Sequence, residues 1–195
     1  MQKLVFWKDR IDRKPLIVLG ARQVGKTYIL KAFGRRYFKN MAYINCDNNA
    51  MAKDLFSQDF DMSRVMLAIS AITGVNVEKG NTLIFLDEIQ ELPRGLTSLK
   101  YFCEQAREYH VVVAGSLLGI TLHSGEAYPV GKVNTLTMYP MTFEEFLLAK
   151  GDRNLYEMLL VEDWNVLGRL KSVLEQSLRE YYFVGGMPEA VKTFV

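Results

Sequence analysis

Gly20-Ala21-Arg22-Gln23-Val24-Gly25-Lys26-Thr27 fits the pattern G-x-x-x-x-G-K-S/T without a mismatch, and it stands between a continuous apolar run, Leu16-Ile17-Val18-Leu19, and a stretch with helical spacing. A strand that is apolar at every position has to be buried on both faces, as in a parallel sheet covered by helices. The two glycines let the chain curl so that successive backbone N–H groups point inward, and the following helix offers its N-terminus to an anion. A loop so built cradles phosphate. Lys26 is spaced to reach the β and γ phosphates of a nucleoside triphosphate, and the Thr27 hydroxyl to ligate Mg²⁺. The expected contact set is Gly20, Ala21, Arg22, Gln23, Val24, Gly25, Lys26, Thr27 and Tyr28.

Met41 to Cys46 (MAYINC), Thr82 to Leu86 and His110 to Ala114 (HVVVA) read as further strands, with Lys132 to Met138 as a candidate fifth. Helical stretches separate them: Gly25 to Arg36, with Gly34 weakening its end; a segment opened at Asp47 or Asn48; Met62 to Thr73, before Gly74; and a helix from Pro93, which suits a first turn, through Tyr109. Residues 119 to 131 read as an irregular loop. Thr142, with Glu145 three residues on, forms a capping box before Phe146-Leu147-Leu148. From Asn154 the pattern is helical, broken at Gly185-Gly186-Met187-Pro188, and it reaches Val195 without a stop signal, as expected of a piece of a longer protein. Strands alternating with helices, then helices alone, predict an α/β fold with a parallel sheet over residues 1–150 and a small helical, lid-like subdomain over 151–195.

A Mg²⁺ site needs a carboxylate at the end of a rigid strand beside the loop. Asp87, closing Leu83-Ile84-Phe85-Leu86, is so placed and is expected to hold the metal through a water. Glu88 projects one residue further and suits the general base that polarises an attacking water. Ser116, following HVVVAG, should emerge at the carboxyl edge of the sheet, where a γ-phosphate sensor and a plain helix cap are both open readings. His123 lacks ligand partners and reads as a surface residue. His110 reads as structural, and Phe143, Phe146, Leu147 and Leu148 as core.

Cys46 and Cys103 are isolated from each other and from any Cys/His cluster, so zinc and redox chemistry are not expected, and reduced core thiols in a cytoplasmic protein are. No apolar run approaches the roughly 18 residues of a membrane span. Residues 1–40 carry eleven Lys or Arg against two acids, while the remainder carries thirteen against twenty. The basic end leaves a nucleic-acid partner open on charge alone, although part of the excess serves the phosphate loop.

GARQVGKTYIL, LIFLDEIQEL, VVVAGSLLG, MYPMTFEEFL and YYFVGGMPEAV occur in this order. The set resembles the AAA-type ATPases of bacteria and archaea that pair an N-terminal AAA+ domain with a C-terminal domain of unknown function, and the resemblance covers nearly all of the chain. It implies an additional-strand P-loop NTPase in which strand 110–115 lies between the strands leading to Gly20 and to Asp87. Gly20 to Thr27 then take the Walker A role, Asp87 and Glu88 the Walker B role, and Ser116 the sensor 1 position, with Lys26, Glu88 and Ser116 taking part in ATP hydrolysis. ATP is implied over GTP, and no N-K-x-D guanine signature is present.

Two departures matter. Gly131-Lys132 stands where such proteins often have glycine-arginine, and a chain ending at Val195 is expected to lack the second domain. Gly185 to Pro188 resembles an element near adenine in related signalling ATPases, and a helix-breaking turn explains it as well. The expected function is Mg²⁺-dependent ATP hydrolysis. The alternative is a slow nucleotide-controlled switch acting on a partner or a further domain. A homo-oligomer would let one copy supply an arginine finger to the next; Arg22, Arg64, Arg94 and Arg107 are the candidates, and the sequence ranks none of them.

Overall fold

The apolar runs lie side by side. In the computed structural model, which describes residues 1–115, 129–161 and 168–195, β1 (Leu16–Leu19), β2 (Asn40–Asn45), β3 (Thr82–Asp87), β4 (His110–Ala114) and β5 (Asn134–Thr137) form one parallel sheet in the order β2-β3-β4-β1-β5. Strand β4 therefore separates β1 from β3, the order that the family resemblance implied.

Period-two alternation explains why the central strands are apolar throughout. Leu16 and Val18, Leu83 and Phe85, and Val112 and Ala114 face α1 (Gln2–Asp9) and α2 (Lys26–Tyr37), meeting Leu4, Trp7, Leu30 and Phe33. The interleaved Ile17, Ile84, Leu86, Val111 and Val113 face α3 (Ala50–Ser57), α4 (Met62–Thr73) and α5 (Gly95–Gln105), meeting Phe56, Val65, Ile69, Leu99 and Phe102. Each such side chain contributes roughly 1.5–3 kcal/mol by leaving water. A sheet covered on both faces leaves the carboxyl ends of its strands as the place where polar side chains can gather.

Several expectations are corrected. Helix α1 had no sequence signal; it is pinned by buried Leu4 and Trp7, whose indole donates to Lys14 O at 2.8 Å. Helix α2 runs through Gly34 to Tyr37, because that glycine is where the helix approaches β2: a Cβ there would lie 2.5 Å from Met41 Sδ. The helix foreseen over 93–109 spans only Gly95–Gln105. Before it, Ile89–Glu91 forms a 3₁₀ turn and Arg94 adopts φ 57°, so Pro93 sits in the connection and not in the first helical turn. Ser116, His123 and residues 119–128 of the expected loop lie outside the described residues.

His110 shows what burial does to a titrating ring. It is 6% exposed, packed edge-on to Trp7 and Phe38, and burial, reinforced by the charge of Arg13, pushes its pKa down to about 4. A depressed folded pKa means that the unfolded chain binds the proton first as pH falls. The stability linked to His110 is thus complete above its ordinary value of 6.5 and is lost as pH falls through about 4. Unfolding free energy measured by urea titration should drop by about 2 kcal/mol between pH 7 and pH 5. In His110→Phe that part of the pH dependence should vanish.

The chain divides into two compact units, Met1–Met138 and Tyr139–Val195. The division falls before the expected boundary at 150, so that α6 (Phe143–Lys150) belongs with α7 (Arg153–Val161), α8 (Lys171–Val184) and α9 (Pro188–Phe194). Its capping box is formed, Phe146 meets the rings of Tyr181 and Phe194, and Lys150 pairs with Glu180 at 2.7 Å. Within this unit the two C-terminal motifs interlock: Met141 N donates to Gly186 O at 2.7 Å, the Tyr181 hydroxyl donates to Met141 O at 2.7 Å, and a Cβ on Gly186 would run into Met141 O.

Candidate nucleotide-binding site

The loop between β1 and α2 leaves the sheet at its carboxyl edge. Gly20 has φ 150° and Gly25 φ 93°, both in the region that favours glycine, and a Cβ on Gly20 would collide with Met138 O. Gln23, at φ 63°, is the third left-handed residue of the loop. Val24 is buried and anchors the loop from below, while Ala21, Arg22 and Gln23 are exposed. Tyr28 is 79% exposed, one residue into the helix past Thr27.

Lys26 is 7% exposed, and its ammonium donates to Gly20 O and Ala21 O, each at 2.8 Å. Burial lowers its pKa, and the charges of Glu88 and then Asp87 oppose that shift. The lysine is thus a cation folded back over its own loop and balanced by acids across the site.

On the other side, the Thr27 hydroxyl donates to Asp87 Oδ2 at 2.8 Å, and the Tyr43 hydroxyl donates to the same oxygen at 3.3 Å. Asp87 is 5% exposed; burial raises its pKa and the neighbouring Glu88 charge adds to the rise, while the Thr27 and Tyr43 bonds hold it down. Glu88 follows with φ 54°, caps the 3₁₀ turn, and accepts from Gln90 Nε2 at 2.7 Å. The structure thereby brings together Lys26, Thr27, Asp87 and Glu88, which lie on different elements of one sheet edge. A hydroxyl and a carboxylate beside a phosphate-shaped loop are hard oxygen donors, and they suit a cation that keeps water and phosphate oxygens in its shell.

Sequence reasoning missed Tyr43 and Gln90. Nothing in MAYINC reveals that β2 pairs with β3 in the register Tyr43 to Phe85, which carries the phenol to Asp87. Gln90 did carry a faint signal, a polar residue between buried Ile89 and Leu92. Tyr43→Phe keeps the ring, which packs on Phe85 and lies under Lys31 Nζ at 3.7 Å, and removes only the long hydroxyl bond. We expect it to lower unfolding free energy by no more than about 1 kcal/mol in urea titration. Of the four arginine candidates, Arg64 pairs with Asp59, Arg94 donates to Gln58 O and Arg107 to Arg13 O, while Arg22 stands exposed in the loop.

A glycine loop joining β1 to a helix, a carboxylate ending β3, and β4 inserted between those strands define the additional-strand class of P-loop NTPase folds. The model of the AAA domain family matches residues 12–147, well over half of the chain, and the chain belongs to that family, as a nucleotide-binding domain of the AAA ATPase type. Among solved structures, Drosophila ORC bound to DNA is similar at 15% identity and TM-score 0.50, over 93% of this chain and 52% of that one. The STAND protein with a tetratricopeptide repeat sensor from Pyrococcus horikoshii matches at 15% identity and TM-score 0.49, over 96% of this chain and 28% of that one. The RuvB Holliday junction branch migration motor of Thermotoga maritima matches at 14% identity and TM-score 0.48, over 78% and 50%. This chain therefore spans about half or less of the length of these proteins, and such distant likeness concerns the fold alone. No curated protein matches the sequence. No helix among the described residues is long and apolar enough to cross a membrane.

Proposed function

We propose that this chain hydrolyses ATP with Mg²⁺. The observation that carries the reading is the Thr27–Asp87 hydrogen bond at the carboxyl edge of the sheet, with Lys26 on one side and Glu88 next in the chain. The donor set fits the group: the Thr27 hydroxyl and the Asp87 carboxylate present hard oxygens within 2.8 Å of each other beside the glycine loop. Mg²⁺, when bound, neutralises charge that develops on the phosphate oxygens. Thr27 and Asp87 are the residues that would hold it. Lys26 exchanges the carbonyls of Gly20 and Ala21 for the β and γ phosphates, and Glu88 accepts the proton of the attacking water.

The helical unit serves as the lid-like subdomain, Ser116 serves as the γ-phosphate sensor, and buried, reduced Cys46 and Cys103 suit a cytoplasmic protein. Phosphate release from ATP should require Mg²⁺ and stop in EDTA. A specific rate that climbs with protein concentration would indicate that a neighbouring copy supplies an arginine. Tight nucleotide binding with no phosphate released in Mg²⁺ would overturn hydrolysis and favour the slow switch.

A further inference from the structure

Glu88 sits on a residue pair that strand geometry alone does not organise. It leaves β3 in a left-handed conformation, which a non-glycine residue keeps only where its surroundings hold it. The 3₁₀ turn that follows is part of those surroundings. Glu91 N donates to Glu88 O and Leu92 N to Ile89 O, each at 3.0 Å, and the apolar side chains of Ile89 and Leu92 are buried to either side of Gln90. The backbone of Gln90 is therefore fixed, and its amide reaches back over two residues to Glu88 Oε2 at 2.7 Å, a short bond for a nitrogen donor and in keeping with a charged acceptor.

The same amide has its Oε1 buried with no hydrogen bond from the described residues. Burying a half-satisfied amide is unfavourable, and methionine or leucine would fill this position without that penalty. What the glutamine gains there is the bond to Glu88. The carboxylate held by Gln90 belongs to the residue next in the chain to Asp87, whose Oδ2 accepts from Thr27 of the phosphate loop at 2.8 Å.

We propose that Gln90 is a positioning residue for hydrolysis, its side-chain amide fixing the Glu88 carboxylate over the site in the orientation that receives the water proton. This rests on the hydrolytic role of Glu88 proposed above. Gln90 touches neither nucleotide nor metal in this scheme, so its loss should be felt in the transition state and not in ground-state binding.

The test compares the chain as given with Gln90→Met, which keeps the length of the side chain and removes the donor, and Gln90→Leu as a second replacement should methionine disturb folding. The expected result is a kcat about 10-fold lower with unchanged KM. Binding of ADP with Mg²⁺ and aluminium fluoride, which mimics the phosphoryl group in flight, should weaken in parallel, while binding of ADP alone and the unfolding midpoint stay as they were. In a Glu88→Gln background, Gln90→Met should have no further effect on either reading. An unchanged kcat and unchanged aluminium fluoride binding would overturn the proposal and leave the role of Glu88 standing. Equal losses in ADP binding and in unfolding midpoint would overturn it too, in favour of a packing role. If the unsubstituted chain shows neither turnover nor tighter binding with aluminium fluoride, the hydrolytic reading fails and this proposal with it.

Discussion

Glu88→Gln should keep its hold on ATP and Mg²⁺ while phosphate release falls by roughly 10²–10⁴-fold. The two side chains have the same shape, so the left-handed backbone at residue 88 and the adjoining 3₁₀ turn need not change. What is lost is a carboxylate able to take a proton. The electrostatic consequences in the ground state are smaller, and they oppose each other: Lys26 loses the largest of the charges that favour its protonated form, and Asp87 loses a like charge that raised its pKa. Relieved of that repulsion, Asp87 is a better anion for the metal, so nucleotide affinity should be retained or improve. Fluorescent ATP-analogue titration alongside single-turnover phosphate release measures both quantities on one sample. Wild-type release from Glu88→Gln would remove Glu88 from the chemistry and leave the proton to another group.

The division between what could and could not be read from the sequence follows the range of the interactions. The loop Gly20–Thr27 and the strands at 16–19, 82–86 and 110–114 were legible because their signals are local: glycine spacing in the first, unbroken apolar runs in the others. Met62–Thr73 was read to the residue: Gly74, the signal for its end, stops it at φ 68°, and in the structure Asp61 caps its start with a bond from Arg64 N. The start of α5 was misplaced because Pro93 is as compatible with a turn as with a first helical turn. What chose between them was the packing of Gly95 against Ile89, where a Cβ would lie 2.7 Å from Ile89 O. Helix α1 escaped because its two buried side chains, Leu4 and Trp7, give only a short stripe in eight residues. In the site, Asp87 was readable as a strand end. The Tyr43 bond was not, since it depends on the pairing of β2 with β3, a relation between residues 44 apart.

The second large effect belongs to Lys26→Ala. This ammonium is 7% exposed and makes two bonds to carbonyls of its own loop, so the side chain is held against the loop before any nucleotide arrives. The burial that lowers its pKa also makes the charge more effective, since little water stands between it and an incoming phosphate. Hydrogen bonds to charged groups contribute roughly 1.5–3 kcal/mol each, so losing those to the β and γ phosphates should weaken ATP binding by about 10²-fold or more, and phosphate release should become undetectable beside it. The free protein should suffer less, because removing Lys26 also removes the unfavourable burial of a cation, and the unfolding midpoint should move by only a few degrees. Lys26→Arg discriminates between charge and fit: it keeps the cation, but a planar guanidinium cannot take the place of a compact ammonium between two carbonyls at 2.8 Å. Arginine should therefore restore little of the affinity. An alanine variant that binds ATP as the unsubstituted chain does would mean that the loop amides alone carry the phosphates, and that the contacts of Lys26 with Gly20 and Ala21 serve the loop and not the ligand.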